Sequence, residues 1–174
     1  DTYWLISYDE KLLIMDQHAA HEKVKYERLV KQFKEKNIET QTLNPPVVVS
    51  LSSKEQTILS DYMEYFENLG FSIEDFGSNE VAVRTVSVDL YGQNAKDMFL
   101  SLLDEVCSEV PKGKQELIYE KMASMACKAA VKGNNRMSLA EVKELLKEMM
   151  TLDNPYNCPH GRPTIISMTK YELE

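Results

Sequence analysis

The sequence is short of cysteine, glycine, proline and positive charge, and each shortage excludes something. Its three cysteines, Cys107, Cys127 and Cys158, are odd in number and form no C-x-x-C pair. That excludes a disulfide-rich secreted scaffold and a zinc finger of ordinary spacing, and points to free thiols in a reducing compartment. Six glycines and six prolines in 174 residues exclude a collagen-like or low-complexity chain. No apolar run approaches the roughly 20 residues of a membrane span. Asp1 to Tyr8 lacks the basic start and long apolar stretch of a signal peptide. A cytoplasmic protein with no membrane partner is the expectation. The chain does not begin with Met, as expected of a segment of something longer. Lys plus Arg number 20 against 28 Asp plus Glu, a formal charge of -8. Phosphate contacts supply most DNA affinity, so so acidic a domain is a poor free-standing DNA binder. Acidic residues can still gather around a cation, so a nuclease delivered to DNA by something else survives.

What is present is ordinary globular material, 43% hydrophobic and 28% charged. The length suits one domain or two small lobes. The apolar runs Thr2 to Tyr8 and Lys11 to Met15 flank Asp9-Glu10 and predict a β-hairpin. Such unbroken runs suit a sheet covered on both faces, by helices or by a partner chain. Val24, Leu29, Val30 and Phe33 recur at helical spacing between about Ala19 and Lys36. Pro45-Pro46 then marks a linker or a sheet edge, and Val47 to Leu51 a short strand.

Ser52-Ser53-Lys54-Glu55 and Ser138-Leu139-Ala140-Glu141 are capping boxes that open helices. The first leads an apolar stripe from Ile58 to Leu69 that Gly70 stops; the second leads one from Leu139 to Met150. Between them lie a second hairpin (Phe71 to Phe76, Glu80 to Val88) and helices over Asn94 to Val110 and Gln115 to Lys132. A proline-bearing loop, Asn154 to Pro163, precedes a last strand, Thr164 to Met168. The pattern predicts an α/β (α+β) fold of two lobes. Residues 1–39 and 126–174 form one, and 40–125 are inserted as the other.

Three segments carry chemistry. Asp16-Gln17-His18-Ala19-Ala20-His21-Glu22 lies where a strand runs into a helix, with His18 and Glu22 four apart on one face. Imidazole and carboxylate suit zinc, manganese or a similar ion. Equally, Asp16 is an ordinary N-cap and His18 with Glu22 a solvated pair, while His21 faces solvent. Cys158-Pro159-His160-Gly161-Arg162-Pro163 places a thiolate and an imidazole two apart on a proline-stiffened loop, either as ligands or as a tight turn with a buried cysteine. Ala126-Cys127-Lys128 sits on a helix, where a lone cysteine is commonly core, as Cys107 is. If the segments meet, Asp16, His18, Glu22, Cys127, Cys158 and His160 suffice for one or two ions. Two ions about 3.5–4 Å apart stabilise both oxygens of a phosphodiester displacement.

The run from Asp16 to Glu27, D-Q-H-A-A-H-E-K-V-K-Y-E, resembles the D-Q-H-A-x-x-E-x-x-x-x-E signature of the C-terminal domain of the MutL family of DNA mismatch-repair proteins, in its endonuclease form. Glu22 and Glu27 fall on its two glutamates. Ala126-Cys127-Lys128 resembles the family's A-C-[RK] element, with Lys128 where arginine is common. Cys158 to Pro163 resembles its C-P-H-G-R-P element. The resemblance implies a homodimer, with a dimerisation lobe from the chain ends and an inserted regulatory lobe. It implies metal-dependent nicking of duplex DNA, with manganese supporting activity and zinc occupying or tuning the site. It also implies an N-terminal domain that binds ATP, a MutS-type mismatch-recognition partner, and a cytoplasmic, nucleoid-associated place in the cell.

On that likeness Asp16, His18 and Glu22 are expected to be catalytic, with Asp16, His18, Glu22, Cys127, Cys158 and His160 the metal ligands. Lys128, Arg162 and Glu27 either support a ligand or meet a phosphate. Gln41-Thr42-Leu43-Asn44-Pro45-Pro46 is similar to the family's β sliding clamp motif through Gln41, Leu43 and Pro46, although Asn44 stands where a larger apolar residue is expected. A plain proline-terminated linker is the other reading. Some members lack the metal motifs, so a dimerisation and docking module with a structural zinc is the competing function. A zinc hydrolase of small molecules would need a deep pocket and a general acid, neither legible here. The apolar chain ends are the expected dimer interface unless their own helices cover them.

Overall fold

The chain runs β1 (Tyr3–Tyr8), β2 (Lys11–Asp16), α1 (Gln17–Glu35), β3 (Thr40–Ser50), α2 (Ser53–Asp61) and α3 (Met63–Asn68). It continues β4 (Ser72–Gly77), β5 (Glu80–Ser87), α4 (Ala95–Ser108), α5 (Gln115–Lys132), α6 (Leu139–Met149), β6 (Ile165–Thr169) and α7 (Lys170–Leu173). This is a computed structural model that describes residues 3–92, 94–132 and 137–173. Helices and two antiparallel three-stranded sheets, ordered β1-β2-β6 and β3-β5-β4, make an α+β fold.

The expected elements form for the expected local reasons. Asp9 and Glu10 both take positive φ, 49° and 56°, so the first hairpin turns through two left-handed residues, as strand twist favours. Both capping boxes close reciprocally: the hydroxyls of Ser52 and Ser138 accept from the amides of Glu55 and Glu141, whose carboxylates accept in return.

Departures have tertiary causes. The strand expected at 47–51 is longer, because a bulge between Thr42 and Val47 carries Pro45 and Pro46 along an edge strand that pairs with β5. The Ile58 to Leu69 stripe is two helices. They break at Tyr62, whose hydroxyl donates to the Pro111 carbonyl at 2.8 Å. Helix α7 was not expected, yet Thr169 and Glu172 carry half a capping box: the Glu172 carboxylate accepts from the Thr169 amide at 2.7 Å.

The chain divides into two compact units, Asp1–Glu27 with Asn134–Glu174, and Arg28–Gly133. Compared with the expected boundaries, the second unit also takes in 28–39 and 126–133. The contacts within it give the reason. The Tyr119 hydroxyl donates to the Leu29 carbonyl at 3.1 Å, and the Phe33 and Tyr119 rings stack at 3.8 Å. Arg28 meets the buried Asp89 at 3.0 Å, and Gln32 donates to the same carboxylate at 2.9 Å. On α5, Lys128 pairs with Glu105 of α4.

In the first unit, α1 and α6 cover one face of the β1-β2-β6 sheet. Met15, Ala20, Val24, Val142, Leu145 and Met149 form the core, with Trp4, Ile6 and Ile165 against it. Strand alternation turns Tyr3, Leu5, Ile14 and Ile166 to the other face, where Leu5 and Ile166 are 68% and 47% exposed. Among the described residues, the sheet is thus covered on one face, and its second face is apolar and exposed.

In the second unit, Phe66, Phe71 and Phe99 pack with ring centroids 5.5–5.9 Å apart. Gly70 carries the chain from α3 to β4 at φ +87°, and a Cβ there would stand 2.7 Å from the Ser87 amide nitrogen. The obstacle is strand backbone, which cannot rotate aside. Gly70→Ala combines left-handed strain with overpacking and is expected to destabilise this unit by about 3 kcal/mol, read by denaturant unfolding. A loss under about 0.5 kcal/mol, an ordinary surface effect, would mean that the approach to β5 relaxes freely.

Candidate metal centre

The first segment forms a strand-to-helix corner. The Asp16 amide donates to the Thr164 carbonyl at 2.8 Å, tying the end of β2 to the residue before β6. Its Oδ1 accepts from the amides of His18 and Ala19 at 2.9 and 3.1 Å. Asp16 is therefore the N-cap of α1, satisfying two amides that have no intrahelical partner. Trp4 donates its indole N–H to Gln17 Oε1 at 2.9 Å, anchoring the same corner to β1. Ala19 and Ala20 are fully buried. From this packed start, the helix presents Glu22 one turn on.

The second segment is a hairpin loop. The Gly161 amide donates to the Cys158 carbonyl at 2.9 Å and the Cys158 amide to the Arg162 carbonyl at 2.8 Å. Asn157 bridges Pro163 beyond them. Proline suits the second place of such a turn. Gly161, at φ +79°, suits the left-handed place that follows it. Local chemistry thus turns Cys158, His160 and Arg162 together.

The two segments meet. One donor atom each from Glu22, Cys158 and His160 lies within 4.8 Å of the others. Glu22 and Cys158 are buried and His160 is partly exposed. The Glu22 carboxylate is shared: Oε1 accepts from Arg162 Nη2 at 2.9 Å, and Oε2 lies 3.3 Å from His160 Nδ1. Burial pushes the Glu22 pKa up, but hydrogen bonds to His160 and Arg162 and the guanidinium charge outweigh it and hold the carboxyl below its usual range. Glu22 is therefore an anion at neutral pH despite its burial. A thiol, an imidazole and a buried carboxylate that converge from two segments match the donor set of zinc.

The other expected residues fall elsewhere. Asp16 and His18 are outside this group, and among the described residues no other cluster of three such donors is as close. His21 acts electrostatically on Glu141 of the α6 cap. The Glu27 carboxylate takes the ammonium of Lys23, itself mostly buried beside the Tyr26 ring. Cys127 is fully buried on α5, within the second unit, where Lys128 meets the Glu105 carboxylate at 2.9 Å. Of the clamp-like segment, Gln41 is exposed, Pro46 half-buried and Leu43 buried in β3. The roles of Gln17 and Lys23 were not expected. For Lys23 the signal was its i,i+4 spacing to Glu27; for Gln17 no local signal pointed to Trp4.

Residues 1–137 match the model of the MutL C terminal dimerisation domain. The chain is 46% identical over 173 residues to the DNA mismatch repair protein MutL of Agathobacter rectalis, covering 99% of this chain and 27% of that protein. It is 40% identical over 174 residues to the protein of the same name in Clostridium botulinum strain Kyoto, covering 100% of this chain and 26% of that one. Its identity to that of Clostridium perfringens is 38% over 173 residues, 99% of this chain and 26% of the relative. The chain spans about a quarter of the length of these curated relatives. It belongs to the MutL C-terminal dimerisation domain family.

Proposed function

We propose that this chain pairs two copies of a mismatch-repair protein and carries a divalent-cation site used to nick duplex DNA. The supporting observation is the convergence of Glu22, Cys158 and His160 from opposite ends of the sequence. These three would hold the ion, zinc by their chemistry, with Asp16 and His18 as further ligands of that ion or of a second, manganese, ion. When bound, the cation supplies Lewis-acid stabilisation to a phosphodiester displacement. The protein's part is to keep Glu22 anionic, to present His160 and Cys158 from a stiff loop, and to seat Asp16 at the start of the helix that carries Glu22.

The first unit is the dimerisation lobe in this reading, and the open sheet face its interface. The second is the regulatory lobe, where Gln41 and Pro46 are the accessible part of a sliding-clamp contact. A formal charge of -8 predicts weak DNA binding by the chain alone. A clamp, a MutS-type partner or ATP-binding arms elsewhere in the protein would supply local concentration.

Asp16→Asn separates the two roles of Asp16. Asparagine caps a helix as well as aspartate does but cannot act as an anion. Helix content and dimerisation should therefore be unchanged, while manganese-supported nicking of supercoiled DNA by the full-length protein falls about a hundredfold or more, as loss of a transition-state interaction does. Unchanged nicking would remove Asp16 from the chemistry.

A second reading has an observation of its own. Asp16 Oδ1 is occupied in capping α1, and the clustered trio is a good zinc set without it. The chain would then be a dimerisation and docking module with a structural zinc. Tightly held zinc, with no nicking by the full-length protein under any divalent cation, would decide for the module.

A further inference from the structure

Arg162 was open to two roles, meeting a phosphate or supporting a carboxylate, and its contacts distinguish them. Its Nη2 donates to Glu22 Oε1 at 2.9 Å, and its guanidinium interacts electrostatically with Cys158. Its carbonyl accepts from the Cys158 amide at 2.8 Å. One residue therefore holds the buried carboxylate of the cluster with its side chain and closes the loop of Cys158 and His160 with its main chain. The third donor, His160, sits at the other carboxylate oxygen, Oε2.

We infer that Arg162 is the positioning residue of the ion pocket: it holds Oε1, so that Glu22 offers the ion Oε2 alone, on the side shared with His160 and Cys158. The inference rests on the cation reading above. Its physical basis is the planar guanidinium, which fixes the direction of its hydrogen bond to the carboxylate as well as supplying a charge. A buried carboxylate without such a partner would rotate and offer either oxygen. The rotational freedom lost on binding an ion would then count against affinity. Arg162 also keeps positive charge beside the Glu22 carboxylate, which gives the opposite outcome a physical cause. If an arriving cation must displace Arg162 from Glu22, removal of Arg162 would tighten binding.

The test is titration of the dimeric chain with zinc, against a competing chelator, and with cobalt, read by its d–d and sulfur-to-cobalt absorption. Wild type, Arg162→Gln and Arg162→Lys are compared, with circular dichroism and sedimentation to verify the fold. Arg162→Gln should lower zinc affinity 10- to 100-fold, the usual cost of losing a residue that orients a ligand. It should also shift the sulfur-to-cobalt band, because a Glu22 carboxylate that is no longer held in one orientation changes the coordination geometry. Arg162→Lys restores the charge but not the fork, and should recover only part of the affinity, with the band still shifted. That variant keeps the ion pair, and so serves if the glutamine form fails to fold. Equal affinity and an unchanged band in both variants would overturn the positioning role while leaving the cation site standing, as would tighter binding by Arg162→Gln. A wild-type chain that binds neither metal would overturn both.

Discussion

Glu22→Gln should leave the chain folded and dimeric yet cost at least a hundredfold in zinc affinity. The argument weighs two effects of one substitution. Glutamine keeps an oxygen that accepts from Arg162 but removes the one buried anion of the pocket. Loss of an anionic ligand should exceed the 10–100-fold cost of losing a residue that merely orients one. Folding should suffer far less. Breaking a fully buried ion pair costs about 3–5 kcal/mol because the survivor is stranded. Here the Glu22 side chain is 5% exposed but that of Arg162 is 49% exposed. The guanidinium can reach water, so a cost of about 1–2 kcal/mol is expected without metal.

Thermal unfolding with and without zinc reads both numbers. At a hundredfold excess of zinc over its dissociation constant, the wild type should gain about 2.7 kcal/mol, and the variant almost nothing at the same concentration. Equal zinc stabilisation of the two proteins would place the ion somewhere other than beside Glu22.

Leu5→Asp should turn the dimer into a monomer. Leu5 is 68% exposed on the sheet face that α1 and α6 do not cover, and it lies among Tyr3, Ile14 and Ile166. In a single chain the change touches no core residue and should cost under about 0.5 kcal/mol, as surface substitutions do. In a two-fold dimer the change occurs twice. Losing burial of two leucines removes about 4 kcal/mol, and two carboxylates near one axis add desolvation and repulsion. The dimer should weaken a thousandfold or more. Sedimentation at micromolar concentration measures this, with Leu139→Asp as the control. Leu139 is 59% exposed at the start of α6, and its substitution should leave the dimer intact. A dimeric Leu5→Asp chain would move the interface off this sheet.

Much of the architecture was readable residue by residue. Both capping boxes, the Asp9-Glu10 hairpin and the Gly70 stop are local chemistry, since the groups that satisfy one another lie within four residues and need no fold to meet. The stiff loop at Cys158 to Pro163 belongs with them. So does the stripe that builds α6, because amphipathic spacing and burial have the same cause. The sequence also brought out the two segments whose donors cluster.

What it left open required groups far apart in the chain to be compared. Whether α2 continued through Tyr62 depended on a hydroxyl finding the Pro111 carbonyl, 49 residues away. Pro45 and Pro46 fitted a linker or an edge equally well until β3 paired with β5. Asp16 was open to both capping and chemistry, and its Oδ1 proved to cap. Arg162 was open to phosphate or carboxylate, and Glu22, 140 residues distant, took it. Periodicity and turn chemistry specify what each segment does alone. A buried carboxylate's partner is chosen by which charges the packed chain brings within three ångströms of it.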